Sequence, residues 1–187
     1  MLSKCNRVLV AAAVAAMLAA CGGGDGGSDI TVGGGGSGGT DGTVQPAAAA
    51  ADKYVGTWQM ACQADGNGGS ENETLVVTKV SDTSVKADFD LRTFNNATCS
   101  GGAASTEAAT ATVTIDGQTT LTYNGAATTF DKLSLSNASA GGNALPNFKW
   151  TGAVVNGKLV IDFEDNNNES TTTYPANPNE GSSVYSK

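Results

Sequence analysis

Hydrophobic and polar residues alternate at every second position through most of residues 52–187. In "VKADFDL", Val85, Ala87, Phe89 and Leu91 fall on one side and Lys86, Asp88 and Asp90 on the other. "TATVTI" sets Ala111, Val113 and Ile115 against three threonines, and "KLVIDF" sets Leu159, Ile161 and Phe163 against Val160 and Asp162. Successive side chains of a strand point to opposite faces, so this period of two predicts strands with one face in a core and one in water. The pattern predicts strands near 54–63, 73–80, 83–94, 109–115, 118–123, 127–137, 147–155, 158–164 and 182–186.

Turn chemistry predicts how these strands connect. Asp116-Gly117 separates "TVTI" from "QTTLTY", Asn124-Gly125 separates "LTY" from "ATTF", and Asn156-Gly157 separates "GAVV" from "KLVIDF". Such dipeptides favour the two-residue turns of hairpins. Consecutive hairpins with no helical pattern between them predict an all-β fold, a single antiparallel meander. With eight or nine strands, closure into a barrel removes the exposed edges. A two-sheet sandwich satisfies the same alternation and stands as the alternative.

The N-terminus follows a different pattern. Lys4 and Arg7 precede thirteen apolar residues, Val8 to Ala20. A membrane-spanning helix needs about 20 residues, so the run reads as a secretory signal with small residues at its cut. Leu18-Ala19-Ala20-Cys21 resembles the lipobox of bacterial lipoproteins. The resemblance implies that residues 1–20 are removed as a lipoprotein signal peptide and that Cys21 is acylated. Gly22, rather than Asp, after that cysteine implies an outer-membrane destination. One acyl chain holds only marginally, and two or more make a stable anchor. Residues 22–51 are rich in Gly, Ser and Asp and cannot bury enough apolar surface to order themselves, so 21–51 reads as lipidated cysteine plus tether. Thirty such residues reach about 30 Å root-mean-square. Residues 52–187 are the barrel domain.

Charge and chemistry narrow the function. The net charge is −8, and losing Lys4 and Arg7 with the leader makes it −10. That balance disfavours nucleic acid and anionic membrane surfaces as partners, leaving the lipid anchor as the membrane contact. The chain has no histidine, which removes the commonest general base and metal ligand. Serines and threonines therefore lack an activating base, and no Gly-x-Ser-x-Gly elbow occurs. "DFEDNNNES" (162–170) gathers four carboxylates and three asparagines but lacks the Asp-x-Asp-x-Asp-Gly spacing of a calcium loop, and reads as a solvated turn. The expectation is a non-enzymatic protein with no metal and no cofactor. Four Asn-x-Ser/Thr sequons, at Asn72, Asn96, Asn137 and Asn168, follow from a Thr- and Asn-rich composition. Cys5 leaves with the leader and Cys21 takes lipid, so Cys62 and Cys99 remain as an even pair in an oxidising compartment. A disulfide is expected there, with a two-cysteine metal site as the rival.

Gly56-Thr57-Trp58 resembles the G-x-W that opens the first strand of lipocalins. The resemblance implies an eight-stranded barrel with Trp58 closing one end. Lipocalins usually lay a late arginine over that Trp, whereas the last arginine here is Arg92, and the family's C-terminal helix and T-D-Y turn are missing. Lipobox, glycine tether, "YVGTW…C" and "NATCSGG" together resemble small outer-membrane lipoproteins of Gram-negative bacteria. That likeness implies acylation of Cys21, pairing of Cys62 with Cys99 and a structural Trp58. Trp58, Phe89, Phe148, Trp150 and Phe163 either fill the core or line a ligand cavity, since a barrel of this size permits both. The functional expectation is a lipid-anchored envelope protein binding a small apolar or amphipathic ligand in its barrel. The alternative is a structural or protein-interacting lipoprotein, inhibitor or adhesin-like, with a filled barrel.

Overall fold

The computed structural model describes residues 50–165, 168, 169 and 171–187. Cys21, the signal peptide and nearly all of the tether lie outside them. The strands are β1 (Gly56–Ala64), β2 (Ser70–Ser81), β3 (Ser84–Phe94), β4 (Ser105–Tyr123), β5 (Ala126–Ala140), β6 (Asn143–Ala144), β7 (Phe148–Val155), β8 (Lys158–Asp162), β9 (Glu164–Asp165), β10 (Asn168–Glu169) and β11 (Ser182–Ser186). A single 3-10 turn, Asp52–Tyr54, precedes β1, and one helical turn, α1 (Pro178–Gly181), precedes β11. Strands β1, β2, β3, β4, β5, β7, β8 and β11 form a closed antiparallel barrel, sealed where β11 pairs with β1 and β4 with β5. The expected meander barrel is thus the observed fold, and the sandwich is not. Two-residue β6 pairs onto β5, and β9 and β10 form a small separate ribbon.

Two of the three expected hairpin turns form. Asn124 and Gly125 have φ of 51° and 79°, and Asn156 and Gly157 have 52° and 75°. Two consecutive positive φ values are what a type I′ turn requires, which explains asparagine followed by glycine. Asp116-Gly117 does otherwise: the strands expected at 109–115 and 118–123 are one continuous strand, β4. Ile115 pairs with Leu133 and Gly117 with Lys132, so Asp116 is an extra residue in a β-bulge. Gly117, at φ 149°, absorbs the local distortion. The Asn124-Gly125 hairpin holds 117–123 against 126–132 of β5, so those residues are not free to fold back on 109–115.

The inward side chains of all eight strands form one core, which includes Trp58, Leu75, Val85, Leu133, Leu159 and Tyr185. A second, smaller cluster lies on the outer face, where Phe130, Ala153 and Val160 are buried with Leu121, Tyr123, Val155 and Val184 against them. The bulge creates it, because one inserted residue exchanges the faces of β4 and brings Leu121 and Tyr123 to the outside. The segment before β11 lies beside this cluster. Pro175 and Pro178 are fully buried, Pro175 O accepts from Thr151 at 3.3 Å, and the Asn179 side chain joins Thr122 O and Asn124 N.

The two ends of the barrel differ. At one end the β2–β3, β4–β5 and β7–β8 turns are two residues each, and the chain enters with Ala51 N bonded to Asp82 O, 3.0 Å. At the other end run the longer connections 65–69, 95–104 and 141–147.

Candidate functional site

The expected aromatic residues divide into one group of four and one residue apart. Trp150 is the hub of the four. Phe163 meets it edge-on at 4.5 Å between centroids, Phe89 edge-on at 6.1 Å, and Phe148 stacks at 6.4 Å. All four lie in the core, with Phe163 only partly buried. Trp58 stands under the Asp52–Tyr54 turn, 1% exposed, donating Nε1 to Tyr54 O at 2.7 Å. Lys187 Nζ lies 4.5 Å from the centre of its ring and donates to Val55 O at 3.0 Å. A cation therefore does cover this Trp, supplied by the last residue of the chain; Arg92 is instead exposed on β3 and paired with Asp90.

Inside the barrel lies an apolar cavity of about 30 Å³, walled by Leu75, Val77, Val85, Phe89, Leu133 and Trp150 among others. Ligand pockets for small organic molecules run to about 300–1,000 Å³. Among the described residues no acceptor bonds Trp150 Nε1, a buried donor on this wall.

Toward the tight-turn end the interior carries a charge. Asp131, 1% exposed, accepts from Lys53 Nζ at 2.6 Å, from Tyr54 Oη at 2.7 Å and from Gln118 Nε2 at 3.1 Å. Tyr54 Oη also lies 2.9 Å from Gly152 O. An isolated carboxylate would be very costly at this depth, and three donors offset that cost. The arrangement pins the turn that precedes β1 across the barrel end. Burial, then the negative charge of Asp131 and the bond to it, push the Tyr54 phenol above its ordinary range. Unfolded tyrosine ionises near pH 10, about 1.4 kcal/mol per pH unit follows from one uncompensated proton, and the raised folded value keeps Tyr54 neutral. Its contribution to stability is therefore whole below about pH 10 and lost as pH rises beyond. We expect urea midpoints to fall more steeply above pH 10 in the native protein than in Tyr54→Phe. Parallel slopes would show that the phenol does not remain protonated in the fold.

A second polar group lies on the outer face and had no signal in the sequence. Asp116, the bulged residue, accepts bonds from Ser134 and Tyr174, with Lys149 Nζ at 3.5 Å. Lys149 Nζ also donates to Tyr174 Oη at 3.1 Å, and Lys149 and Lys132 lie 5.0 and 5.6 Å from its ring centre. Partial burial works against the Asp116 charge, but the bonds from Ser134 and Tyr174 and the lysine prevail and lower its pKa. The cluster clips residue 174 to the barrel wall.

Cys62 and Cys99 form a disulfide, with Cα atoms 5.8 Å apart. It ties the 95–104 connection to β1, where the register shifts between Met60 and Gln63. Cys99 has φ 50°, and Ser70 Oγ reinforces the attachment by donating to Asn96 O at 2.5 Å and accepting from Cys99 N at 2.9 Å. Of the 162–170 stretch, the side chains of Asp162 and Phe163 are described, with Asp162 buried on the outer face; those beyond lie outside the described residues. Among the described residues no three of His, Cys, Asp and Glu converge as metal ligands.

Fold and site together define a small closed antiparallel barrel with an apolar cavity, a plugged tight-turn end and a disulfide-braced loop end. Compared with known proteins, the chain matches no family, no curated protein and no solved structure.

Proposed function

We propose that this chain is a lipid-anchored envelope protein whose filled barrel acts as a rigid platform, offering its loop end to a protein partner. The cavity of about 30 Å³ carries this reading, because an organic ligand needs roughly ten times that room. The chain path supports it as well. A lipid on Cys21 would hold the protein from its N-terminal side, and Ala51, bonded to Asp82 O, lies at the end bearing the tight turns. The 65–69, 95–104 and 141–147 loops lie at the opposite end. They are rich in Gly, Asn, Ser and Ala, residues that adapt their hydrogen bonds to a partner surface. Trp150 Nε1, without an acceptor among the described residues, favours a second reading, in which a guest with an apolar body and one acceptor enters when Phe89 and Phe148 part.

The test has two arms. In a Gram-negative host, wild-type chain should incorporate labelled palmitate and sediment with outer membranes, and Cys21→Ser should do neither. A photo-crosslinking residue at Ala103, in a long loop, should capture an envelope protein, and one at Thr83, in a tight turn, should not. An unlipidated wild type would end the anchoring proposal. Capture at Thr83 alone, or lipid co-purifying stoichiometrically from the native host, would end the platform reading.

A further inference from the structure

The sequence pairs asparagine with a following glycine at 67–68, 124–125 and 156–157, and the fold holds these pairs differently. Asn124 and Asn156 sit in two-residue turns with φ of 51° and 52°, clamped by the pairs Tyr123↔Ala126 and Val155↔Lys158. Asn124 N is also bonded to Asn179 Oδ1 at 2.9 Å. Asn67 and Gly68 are instead exposed in the 65–69 connection, with Gly66 before them and Gly69 after. Asn67 lies outside the left-handed region, while Gly66 and Gly68 have φ of 78° and 95°. The loop hangs from one carboxylate, for Asp65 Oδ1 accepts from Asn67 N at 2.7 Å and from Gly69 N at 2.9 Å. Between those two anchored groups, Gly68 N meets no acceptor among the described residues. A Cβ at Gly68 would meet nothing within 4 Å, so the space around this peptide is open.

We propose that Asn67 is a site of spontaneous covalent modification, deamidating through Gly68 while their turns protect Asn124 and Asn156. Gly68 N attacks Asn67 Cγ, and the new N–Cγ bond closes a succinimide ring. The side-chain nitrogen leaves as ammonia, carrying the proton that Gly68 N gives up. Water then opens the ring. Cleavage at Cγ leaves aspartate, and cleavage at the backbone carbonyl leaves isoaspartate, in which the main chain runs through the side chain. Ring closure requires the peptide after the asparagine to turn until its N meets Cγ. A left-handed residue has ψ of about +47°, and closure needs ψ of the opposite sign. A clamped two-residue turn forbids that rotation unless the hairpin end opens, whereas a loop flanked by glycines permits it. Either product adds a negative charge near Asp65, and isoaspartate lengthens the backbone so that residues 67 and 69 no longer both reach Asp65 Oδ1. The 65–69 connection therefore changes charge and shape with the age of the molecule. This holds whatever the loop end meets, with or without a lipid on Cys21.

The test compares the folded and unfolded chain. Purified protein with its disulfide intact is incubated at mildly alkaline pH, once in buffer and once in concentrated guanidinium chloride. Proteolysis and mass spectrometry read the exchange of ammonia for water at residues 67, 124 and 156, and a carboxyl methyltransferase labels isoaspartate. In the folded chain, residue 67 should react at least about tenfold faster than 124 or 156, whose turns must open first. In denaturant the three rates should fall within about threefold of one another, because that protection is gone. Asn67→Gln, shown by circular dichroism to fold, should lose most of the isoaspartate label in buffer. Asn124 or Asn156 reacting as fast as Asn67 in the folded chain would overturn the proposal. So would an intact Asn67 in buffer after the denatured sample has converted, or an undiminished label in Asn67→Gln.

Discussion

Replacing Trp58 by alanine should lower the stability of the barrel by about 3–5 kcal/mol, the usual range for removing a buried aromatic side chain. Trp58 is almost wholly buried in the main core and holds the entry turn through its bond to Tyr54 O. The substitution leaves a void that the eight-stranded wall cannot collapse to fill, and it also releases Lys187. For a domain near this size the melting temperature should fall by about 10–20 °C. Trp58→Phe should lose less, since it keeps much of the volume and loses the indole donor. Lys187→Ala should cost about 0.5–1 kcal/mol, the scale of a solvent-accessible cation over an aromatic face. Urea unfolding of the three variants, followed by near-ultraviolet circular dichroism, separates these effects. A Trp58→Ala protein within 1 kcal/mol of wild type would remove Trp58 from its structural role.

The Cys62–Cys99 bridge should come next in size. It closes a loop spanning 37 residues in sequence. Restricting the unfolded chain over such a loop corresponds to about 4 kcal/mol in the chain-entropy account. The double variant Cys62→Ser/Cys99→Ser should lose a comparable amount while keeping the strand signature, because the β1–β2 and β3–β4 ladders do not depend on the bridge. Its dependence on urea should steepen, since an uncrosslinked unfolded chain exposes more surface. Amide exchange should rise first in the 95–104 connection, where Ser70 alone then fastens Asn96 and residue 99. A variant as stable as wild type, with that connection still protected, would show that Ser70 and the ladders suffice.

The strands were legible because period-two alternation and asparagine-glycine turns act over a few residues. Predicted bounds for β2, β3, β7, β8 and β11 fall within about three residues of those found. The miss at Asp116-Gly117 has a physical cause. An aspartate followed by a glycine of positive φ serves a hairpin or a bulge equally well, and the choice depended on which strand was available to pair with 117–123. The lipocalin resemblance implies an arginine over Trp58, and the cation there is a lysine 129 positions away. Position after folding, not residue type, brought it there.

The aromatic residues teach the same lesson. Composition left Trp58, Phe89, Phe148, Trp150 and Phe163 free to line a cavity or to fill one, because inward-facing residues look alike in both cases. Packing put three rings around Trp150 and left about 30 Å³ beside it. The sequence by itself determined the strands, most of the turns, the meander order and the pair of cysteines free to bridge, all properties of local periodicity or of counting. Only the tertiary structure decided the bulge, the outer cluster under Pro175 and Pro178, the Lys53–Asp131–Tyr54 plug and the small cavity beside Trp150. Those depend on residues separated by tens of positions, whose meeting is set by barrel closure and by how volumes fit once it has closed.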